Sequence, residues 1–416
     1  MKSALLAAAL AASLCVHARD SMSAADRFEQ ATAVFEARER DWRNGAVVYQ
    51  VLVDRFAPPA DLEAKRALYP PPKRLRTWSE LPKAGRYLDT AKLWSHELDF
   101  WGGDLPSLAG RLDYVQHLGA DVLYLNPIDL AYTNHKYDTL DYRQVSPEYG
   151  TRADVDALAA DLHRRGMRLV LDGVFNHMGR NAPIFRQAEA DAHSRYRDWF
   201  FFGPEYPGGA RGWGGVANLP ELKLENPQVR AFLWGAEDSV VRSWLREGID
   251  GWRLDVAYDI GMPFLDELTR AAHAQKPGSL VVGEIANYPA QWFPAVDGVL
   301  NFALRQILLR TAAGDIDAPT ASRMIRRMIE DAGIEHMLQS WTYLDNHDTE
   351  RLATALPDPK ARHIAQVLQF TLPGSPNLYY GSELDMSGAG DPEMRAPMRW
   401  DLVRDEPAPL MSSSLP

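Results

Sequence analysis

The residues of this chain that could do chemistry are carboxylates, histidines and one arginine at or just after the ends of short apolar runs. Two carboxylates held close together can act as a nucleophile and a general acid, which is the chemistry that cleaves a glycosidic bond. The polar residues at these positions are Asp172, Asn176, His177, Arg253, Asp255, Glu284, His347 and Asp348.

Arg253, Asp255 and Glu284 have the settings that such a pair of carboxylates needs. Arg253 and Asp255 are two residues apart on a predicted strand, so their side chains point to the same face. A guanidinium favours the ionised form of a nearby carboxylate, which predicts a charged nucleophile. Glu284 lies instead among valine and isoleucine side chains, a setting that raises the pKa of a carboxyl group and retains its proton. Because neighbouring strands are about 4.8 Å apart, the two carboxylates can approach the roughly 5–5.5 Å separation of retaining glycosidases.

The elements that must position these residues are short apolar runs that alternate with amphipathic stretches. Apolar strands between helices predict a parallel sheet, and eight repeats fit a closed (β/α)8 TIM barrel better than an open sheet. The C-terminal ends of barrel strands form one rim, where residues distant in sequence can converge. The predicted strands are 47–53, 122–125, 169–172, 251–255, 280–283, 298–301, 341–344 and 377–380, and the predicted helices include 105–118, 152–165, 227–246, 263–274 and 364–370.

Three further segments interrupt or precede the alternation. Residues 24–42 carry apolar side chains at helical spacing among charges, which predicts an amphipathic leading helix. The proline-rich segment 58–100 and the glycine- and aromatic-rich segment 177–226 are long connections, and connections of this length in a compact domain are usually functional. The aromatic cluster at 199–202 is interpreted as the core of an inserted domain rather than as a sugar platform.

The composition excludes a basic nucleic-acid binder and favours a folded protein with a large core. Apolar residues make up 46% of the 416 residues, and 45 Lys and Arg against 56 Asp and Glu give a net charge of −11. The N-terminus has a charged residue, Lys2, then an apolar stretch and a small-residue pattern that ends at Ala18. This order predicts a signal peptide at 1–18, hence a periplasmic or secreted protein without membrane contact after its removal. A lipoprotein signal at Cys15, the only cysteine, is the weaker alternative.

The motifs around the polar residues resemble a known family. In order and approximate spacing, four segments resemble the signature regions of the α-amylase superfamily, glycoside hydrolase family 13. Two further segments resemble most closely the branch of neopullulanases, cyclomaltodextrinases and maltogenic amylases. The four signature segments are DGVFNH (172–177), GWRLD (251–255), VGE (282–284) and LDNHD (344–348), and the other two are NHKYDTLDY (134–142) and LPELKLENPQVR (219–230).

The resemblance implies a retaining hydrolase of α-glucosidic bonds, mainly α-1,4, in starch, maltooligosaccharides or related α-glucans. It implies that Asp255 is the nucleophile, Glu284 the general acid and base, and Asp348 a third carboxylate that holds sugar hydroxyls. No cofactor is required for this chemistry. Residues implied to bind the sugar at the cleavage position are Tyr137 as a stacking platform, His177, Arg253 and His347.

The resemblance also implies a domain organisation, from which the sequence departs in places. The branch usually carries an N-terminal β-sandwich and a C-terminal β domain, and both are expected to be missing here, so a preference for cyclodextrins is not implied. Ala257-Tyr258 stands where many starch-cleaving members have Lys-His, and no ligand-rich loop for a structural calcium ion follows Arg55. The expected ranges are a signal at 1–18, a helix at 19–43, a barrel at 44–176 and 227–405, an inserted domain at 177–226, and a truncated tail at 406–416.

Two alternatives from other classes stay open at this stage. One is a glucan-binding or vestigial protein without catalytic activity, which a truncated C-terminal region would favour. The other is a metal-dependent barrel hydrolase that uses His177, His347, Asp255 and Asp348, although paired histidines are not found after the first strand. The sequence leaves the metal content, the exact bond specificity and the oligomeric state open.

Overall fold

The computed structural model describes residues 24–403, and its contacts divide the chain into a unit Met1–Asn44 and a unit that begins at Gly45. The described part of the first unit holds a helix, Ala24–Arg40, which confirms the predicted leading helix. The predicted signal at 1–18 and the tail at 406–416 lie outside the described residues, as do 19–23 and 404–405. No helix in the described range is long and apolar enough to cross a membrane.

Most strands of the second unit are the short apolar runs of the sequence. Their residues are buried on both faces, as expected for a parallel sheet that helices cover. The strands in chain order are β1 (Val48–Val51), β2 (Arg74–Leu75), β3 (Tyr87–Leu88), β4 (Leu93–Trp94), β5 (Asp99–Phe100), β6 (Val122–Leu125), β7 (Asp129–Ala131), β8 (Thr139–Val145), β9 (Arg168–Gly173), β10 (Gly251–Leu254), β11 (Leu280–Ile285), β12 (Gly298–Asn301), β13 (Trp341–Tyr343) and β14 (Ser375–Tyr379).

Eight of these strands close into a parallel barrel, which confirms the predicted fold class. They follow one another around the barrel in chain order as β1, β6, β9, β10, β11, β12, β13 and β14, and β14 pairs back with β1. Large side chains fill the interior, where the rings of Tyr124 and Trp341 lie 5.1 Å apart between their centroids. Glu284 belongs to β11 itself rather than following the strand, because β11 extends two residues beyond the predicted end.

In the second unit, the helices between the barrel strands pack on the outside of the barrel, and their boundaries follow local sequence. Thr151 begins one of them with a capping box. Its side chain accepts a hydrogen bond from the Asp154 backbone N–H, and the Asp154 side chain accepts one from the Thr151 backbone N–H. The described helices are Ala24–Arg40, Val53–Phe56, Leu105–Ala109, Leu112–His117, Arg152–Arg164, Pro183–Ala190, Pro227–Arg230, Val240–Arg246, Ala257–Ile260, Met262–Gln275, Phe302–Ala312, Ala318–Ala332, Ile334–Gln339, Leu352–Ala355 and Pro359–Thr371.

Two predicted helices are wrong as continuous elements, and a glycine marks each break. The predicted 105–118 helix divides at Gly110. The predicted 227–246 helix passes into a π-helical turn, Ala231–Gly235, and breaks after it, because Ala236 is extended. Glycine costs about 1 kcal/mol relative to alanine inside a helix, so a change of direction is least costly there. After β14 the described chain, up to Val403, has only short 3₁₀ turns. The expected lack of a C-terminal domain therefore stays a prediction.

The two long connections carry short pairings above the barrel. In segment 58–100, β3 pairs antiparallel with β4, and β2 pairs parallel with β5. Segment 177–226 is held by isolated antiparallel bridges, such as that between Phe200 and Leu222. Its rings of Phe185 and Phe200 meet edge to face at 5.0 Å, and both side chains are buried, which confirms the core interpretation for that part of the aromatic cluster. The predicted limits of an inserted domain at 177 and 226 stay a prediction.

Candidate active site

The register of three neighbouring strands brings the predicted catalytic residues together. On β10, Arg253 pairs with Asp172 of β9. On the other side, Leu254 pairs with Gly283 of β11. The residues that follow these two, Asp255 and Glu284, therefore lie next to each other at the same end of the barrel. The strand-end pattern therefore places two carboxylates at one rim, as the sequence predicts.

Arg253 is the centre of this arrangement and is fully buried. Its Nη1 donates to both carboxylate oxygens of Asp172, over 2.8 and 2.9 Å, and to Oδ1 of Asp255 over 3.2 Å. Its Nη2 lies 2.9 Å from Oε1 of Glu284. A planar guanidinium can contact several carboxylates at once, whereas an ammonium group acts as a single point charge. Arg253 thus fixes the positions of both predicted catalytic carboxylates.

The charges around Arg253 leave an excess of carboxylates over cations. Burial raises the pKa of Asp255 well above its usual value, with Arg253 acting in the opposite direction. Burial also raises the pKa of Glu284, again against Arg253. The guanidinium therefore favours the ionised form of Asp255, as the sequence predicts, but burial and the neighbouring carboxylates act against it. The raised pKa of Glu284 agrees with its expected role as a proton donor.

The turn after Asp255 is strained and contacts Glu284. Val256 has φ +39° and ψ 44°, a left-handed conformation that is unfavourable for a β-branched residue. Its backbone N–H donates to Oε2 of Glu284 over 2.9 Å. Strain of this kind persists where the surroundings fix the backbone, and it clusters at active sites. The conformation of Val256 thus contributes to the placement of Glu284.

A buried hydrogen-bond network orients His347 and the hydroxyl group of Tyr137. The amide Nε2 of Gln50 donates to Nδ1 of His347 over 2.8 Å, which places the proton of a neutral ring on Nε2. That Nε2 lies 2.6 Å from the Tyr137 hydroxyl, which in turn donates to Asp172 over 2.8 Å and accepts from Asn126 over 2.9 Å. Sequence reasoning missed Gln50 and Asn126. The signal that could have found them is a polar amide inside, or directly after, an apolar strand.

The ring of Tyr137 is half-buried and faces the cavity with part of its surface. It stacks against His347, with centroids 5.4 Å apart and planes 5° apart, and the His135 ring lies at 5.8 Å. Tyr137 therefore lines the cavity, while its ring stacks on His347 and its hydroxyl group bonds to His347 and Asp172 beneath the cavity. Its expected role as a stacking platform for a sugar ring stays a prediction.

Asp348 projects from the loop after β13 into the same cavity, and 44% of its side chain is exposed. His347 lies 2.9 Å from its Oδ2, and Nη2 of Arg395 donates to its Oδ1 over 3.1 Å. Burial alone would raise the pKa of Asp348, but His347 and Arg395 outweigh it and hold the pKa below its usual value. Sequence reasoning missed Arg395, which lies in a loop without periodicity.

His177 lines the cavity at the start of segment 177–226, which is called the inserted segment below. Its Nε2 lies 3.1 Å from the backbone oxygen of Tyr137 and 3.9 Å from Oδ2 of Asp255. Burial lowers its pKa to about 4, so the ring is neutral at neutral pH. The ring of Trp213 stacks on His177 at 5.9 Å, and its indole N–H donates to Asp259 over 2.9 Å. Trp213, which sequence reasoning also missed, thus joins the inserted segment to the barrel rim.

These groups surround a cavity of about 570 Å³, within the usual range for a ligand site. Of the predicted site residues, Arg253 and His347 contact the lining residues from beneath it. Tyr258 also lines the cavity and is half-exposed. The other predicted site residues all line it, and they are Tyr137, His177, Asp255, Glu284 and Asp348.

The residues of the metal-hydrolase alternative do not form a ligand set. His177 approaches Asp255, and His347 approaches Asp348, but as two separate pairs. Across residues 24–403, no group of three or more His, Cys, Asp or Glu is placed to hold a metal ion. The described part of the chain therefore gives neither a catalytic metal nor a structural calcium ion a site of that kind.

Comparisons with known proteins agree with this geometry. Residues 50–407 match the family model described as the catalytic domain of α-amylase. Neopullulanase 2 from Thermoactinomyces vulgaris is 34% identical over 382 residues, which are 87% of this chain and 60% of that protein. An intracellular maltogenic amylase from Bacillus subtilis strain 168 is 33% identical over 379 residues, 88% of this chain and 60% of that protein. The chain thus spans about 60% of the length of these curated relatives.

Solved structures show the same likeness in three dimensions. The cyclic α-maltosyl-(1→6)-maltose hydrolase from Arthrobacter globiformis, in complex with that cyclic sugar, is 32% identical with a TM-score of 0.78. The match covers 87% of this chain and 79% of that chain. The type III pullulan hydrolase from Thermococcus kodakarensis is 30% identical with a TM-score of 0.77, over 88% of this chain and 68% of that one.

Proposed function

Because the chain belongs to the α-amylase family of glycoside hydrolases, we propose that it is a retaining hydrolase of α-glucans that cleaves mainly α-1,4 bonds. The observation that carries the proposal is the placement of Asp255 and Glu284 on two nitrogens of one buried guanidinium, that of Arg253, at the edge of the cavity. Starch and maltooligosaccharides are the proposed substrates. The names of the relatives extend the range of candidates to pullulan and cyclic maltosides.

In the first proposed step, a carboxylate oxygen of Asp255 forms a bond to the anomeric carbon of the sugar. The bond from that carbon to the leaving oxygen breaks, and Glu284 transfers its proton to that oxygen. Burial raises the pKa of Glu284, which helps it to hold this proton before cleavage. The product of this step is a glycosyl ester on Asp255 and a released sugar with a free hydroxyl group.

In the second proposed step, water replaces Asp255 at the anomeric carbon. The carboxylate of Glu284 takes a proton from the water, and the electron pair of the breaking ester bond returns to Asp255. Two successive displacements at the same carbon give a product with the configuration of the substrate. Both carboxylates then have their starting charges.

The remaining site residues have proposed roles in holding the sugar. Asp348, held by His347 and Arg395, is proposed to accept hydrogen bonds from sugar hydroxyls, since its pKa is lowered and its side chain reaches the cavity. His177 is proposed to contact the same sugar unit, and Tyr137 to contact its ring. His347 lies beneath the cavity and is proposed to hold Asp348 and the Tyr137 hydroxyl group in place. Arg253 is proposed to keep the two catalytic carboxylates in place throughout the cycle.

The location of the protein and the origin of its substrate are further proposals. If the predicted signal at 1–18 acts as one, the enzyme works in the periplasm or outside the cell on imported or external α-glucan. This proposal is tested by fractionating cells and by sequencing the mature N-terminus. An N-terminus that begins within 1–18 on the cytoplasmic protein would contradict it.

The proposed function is tested by incubating the protein with starch, maltoheptaose, pullulan and β-cyclodextrin and by separating the products. Hydrolysis of starch or maltoheptaose, lost in Glu284→Gln, is the expected result. Panose from pullulan would add the activity implied by the name neopullulanase. Binding of these glucans without release of reducing sugar would contradict the proposal and favour the non-catalytic alternative.

A further inference from the structure

A second cavity adjoins the catalytic one and has no role in the proposed chemistry. Its volume is about 500 Å³, and it lies between the segment 58–100 and the inserted segment 177–226. The two cavities share lining residues, so they form one continuous groove that passes the catalytic carboxylates. The shared residues are Glu97, His135, Trp213 and Leu219.

One wall of this second cavity is an aromatic hairpin. Tyr87 on β3 and Trp94 on β4 are direct partners across the strand pair, and their rings meet edge to face at 5.6 Å. Both line the cavity, with 42% of Tyr87 and 47% of Trp94 exposed. An exposed apolar surface is more often a binding site when it borders a concave groove than when it stands alone.

The hairpin is held in place by contacts that reach the catalytic cavity. The Gly85 N–H donates to Nδ1 of His96 over 3.0 Å, while Nε2 of His96 lies 3.5 Å from Asp391, which lines the catalytic cavity. The N–H of Trp94 donates to Glu97 over 3.2 Å, and Glu97 lines both cavities. Trp94 therefore has a fixed position relative to the site of cleavage, as a binding platform requires.

The opposite wall comes from the inserted segment and is again largely uncharged. Trp213 lies at the junction of the two cavities, fixed by its hydrogen bond to Asp259 and its stacking on His177. Val216, which is exposed, continues the wall away from the catalytic residues. The second cavity thus has aromatic and aliphatic walls with few charges, a surface that suits an uncharged ligand with flat apolar faces.

We propose that the hairpin of Tyr87 and Trp94, together with Trp213, binds further glucosyl units of an α-glucan chain whose bond is cleaved beside Asp255. The proposal deepens the proposed function and rests on it. The apolar faces of glucose rings match the aromatic surfaces, while their hydroxyl groups can reach the polar residues at the cavity edge. The groove would make the enzyme favour chains long enough to span both cavities.

The test compares Trp94→Ala, Trp94→Phe and the wild-type protein on maltoheptaose and maltotriose. Loss of the aromatic contact and of the apolar area of Trp94 should lower kcat/KM for maltoheptaose about tenfold in Trp94→Ala. For maltotriose, kcat/KM in Trp94→Ala should stay within about twofold of wild type, because Trp94 is exposed and this shorter sugar does not span both cavities. Trp94→Phe should restore most of the loss, which separates stacking from misfolding.

A matched control is Tyr288→Ala, which removes a ring as exposed as that of Tyr87 (42% each) but outside the groove. Tyr87→Ala should weaken maltoheptaose hydrolysis selectively, and Tyr288→Ala should not. An equal loss on both substrates, or no loss on maltoheptaose, would overturn the proposal. If the wild-type protein cleaves no α-glucan, the proposed function fails, and calorimetry with maltoheptaose decides about the groove. An unchanged Kd in Trp94→Ala would then overturn it.

Discussion

The Nη2 atom of Arg253 lies 2.9 Å from the carboxylate of Glu284. This contact joins two strands of the barrel and places the proposed proton donor on the same guanidinium that holds the proposed nucleophile, Asp255. Because the arginine is buried and surrounded by carboxylates, its shape matters as much as its charge.

Arg253→Lys should therefore lower activity strongly while keeping a positive charge. A lysine ammonium cannot contact Asp172, Asp255 and Glu284 in the same geometry, so we expect kcat/KM on maltoheptaose to fall by about 100-fold. Arg327→Lys, an exposed arginine on the helix Ala318–Ala332, is the control and should keep wild-type activity. Near-wild-type activity in a folded Arg253→Lys protein would show that the guanidinium does not position the carboxylates.

Tyr137→Phe separates the hydroxyl group of Tyr137 from its ring. The change removes hydrogen bonds to His347 and Asp172 but keeps the stacked ring, so kcat/KM should fall by about tenfold. Tyr137→Ala removes both and should cost more. If the two variants lose the same activity, the ring contributes nothing, and the expected stacking on a sugar is wrong.

The pH dependence of cleavage reports the proton on Glu284. Glycosylation needs this proton, so kcat/KM should fall as the pH rises through the pKa of Glu284, which lies above the ordinary value of about 4.3. The negative charge of Asp348 contributes to this raised pKa. Asp348→Asn removes that charge and should move the alkaline limb of the residual activity to lower pH. A limb that stays in place or moves upward would contradict the assignment of the limb to Glu284.

Glu148→Gln tests a buried ion network beneath the segment 58–100. Although burial raises the pKa of Glu148, Lys136 and Lys73 lower it to about 2, below the unfolded value of about 4.3. The carboxylate therefore stabilises the fold above pH of about 4.3, and this contribution is lost as the pH falls toward 2. At pH 7 the substitution should lower the free energy of unfolding by about 3 kcal/mol.

The control for this stability measurement is Glu63→Gln. Glu63 pairs with Arg66 in the same segment, but both side chains are exposed, so its loss should leave the free energy of unfolding nearly unchanged. Denaturant unfolding at pH 7 and pH 3 measures both variants. The difference between wild type and Glu148→Gln should shrink at pH 3, and a difference that is equal at the two pH values would contradict the ion-pair explanation.

The barrel could be predicted from the sequence because buried parallel strands leave a direct signal. Strands such as Val122–Leu125 and Gly298–Asn301 coincide with the predicted apolar runs. The convergence of Asp255 and Glu284 at one rim could be predicted for the same reason, since strand ends in a barrel converge. Their proposed catalytic roles came from the family resemblance. The broken helices at Gly110 and Gly235 were harder, because periodicity continues across a glycine that changes the direction of the chain.

The rest of the site depends on contacts that no local pattern encodes. Gln50 reaches His347 across the barrel interior, and Arg395 reaches Asp348 from a loop after the last strand. Trp213 lies in a glycine-rich turn and bonds to Asp259 in another loop. Each of these partners is distant in sequence and lies in a different element. Their pairing follows only once the barrel has closed, so spacing and periodicity could not identify them.

Mass spectrometry of a trapped intermediate tests most directly whether Asp255 forms a covalent bond to the sugar. α-Maltotriosyl fluoride can glycosylate Glu284→Gln without a proton donor, because fluoride leaves readily, while glutamine cannot activate water to release the sugar. With Asp255 as the nucleophile, one maltotriosyl group should be added to the peptide that contains Asp255, and the Asp255→Asn, Glu284→Gln double variant should gain none. An adduct on another residue, or an adduct that persists in the double variant, would contradict it.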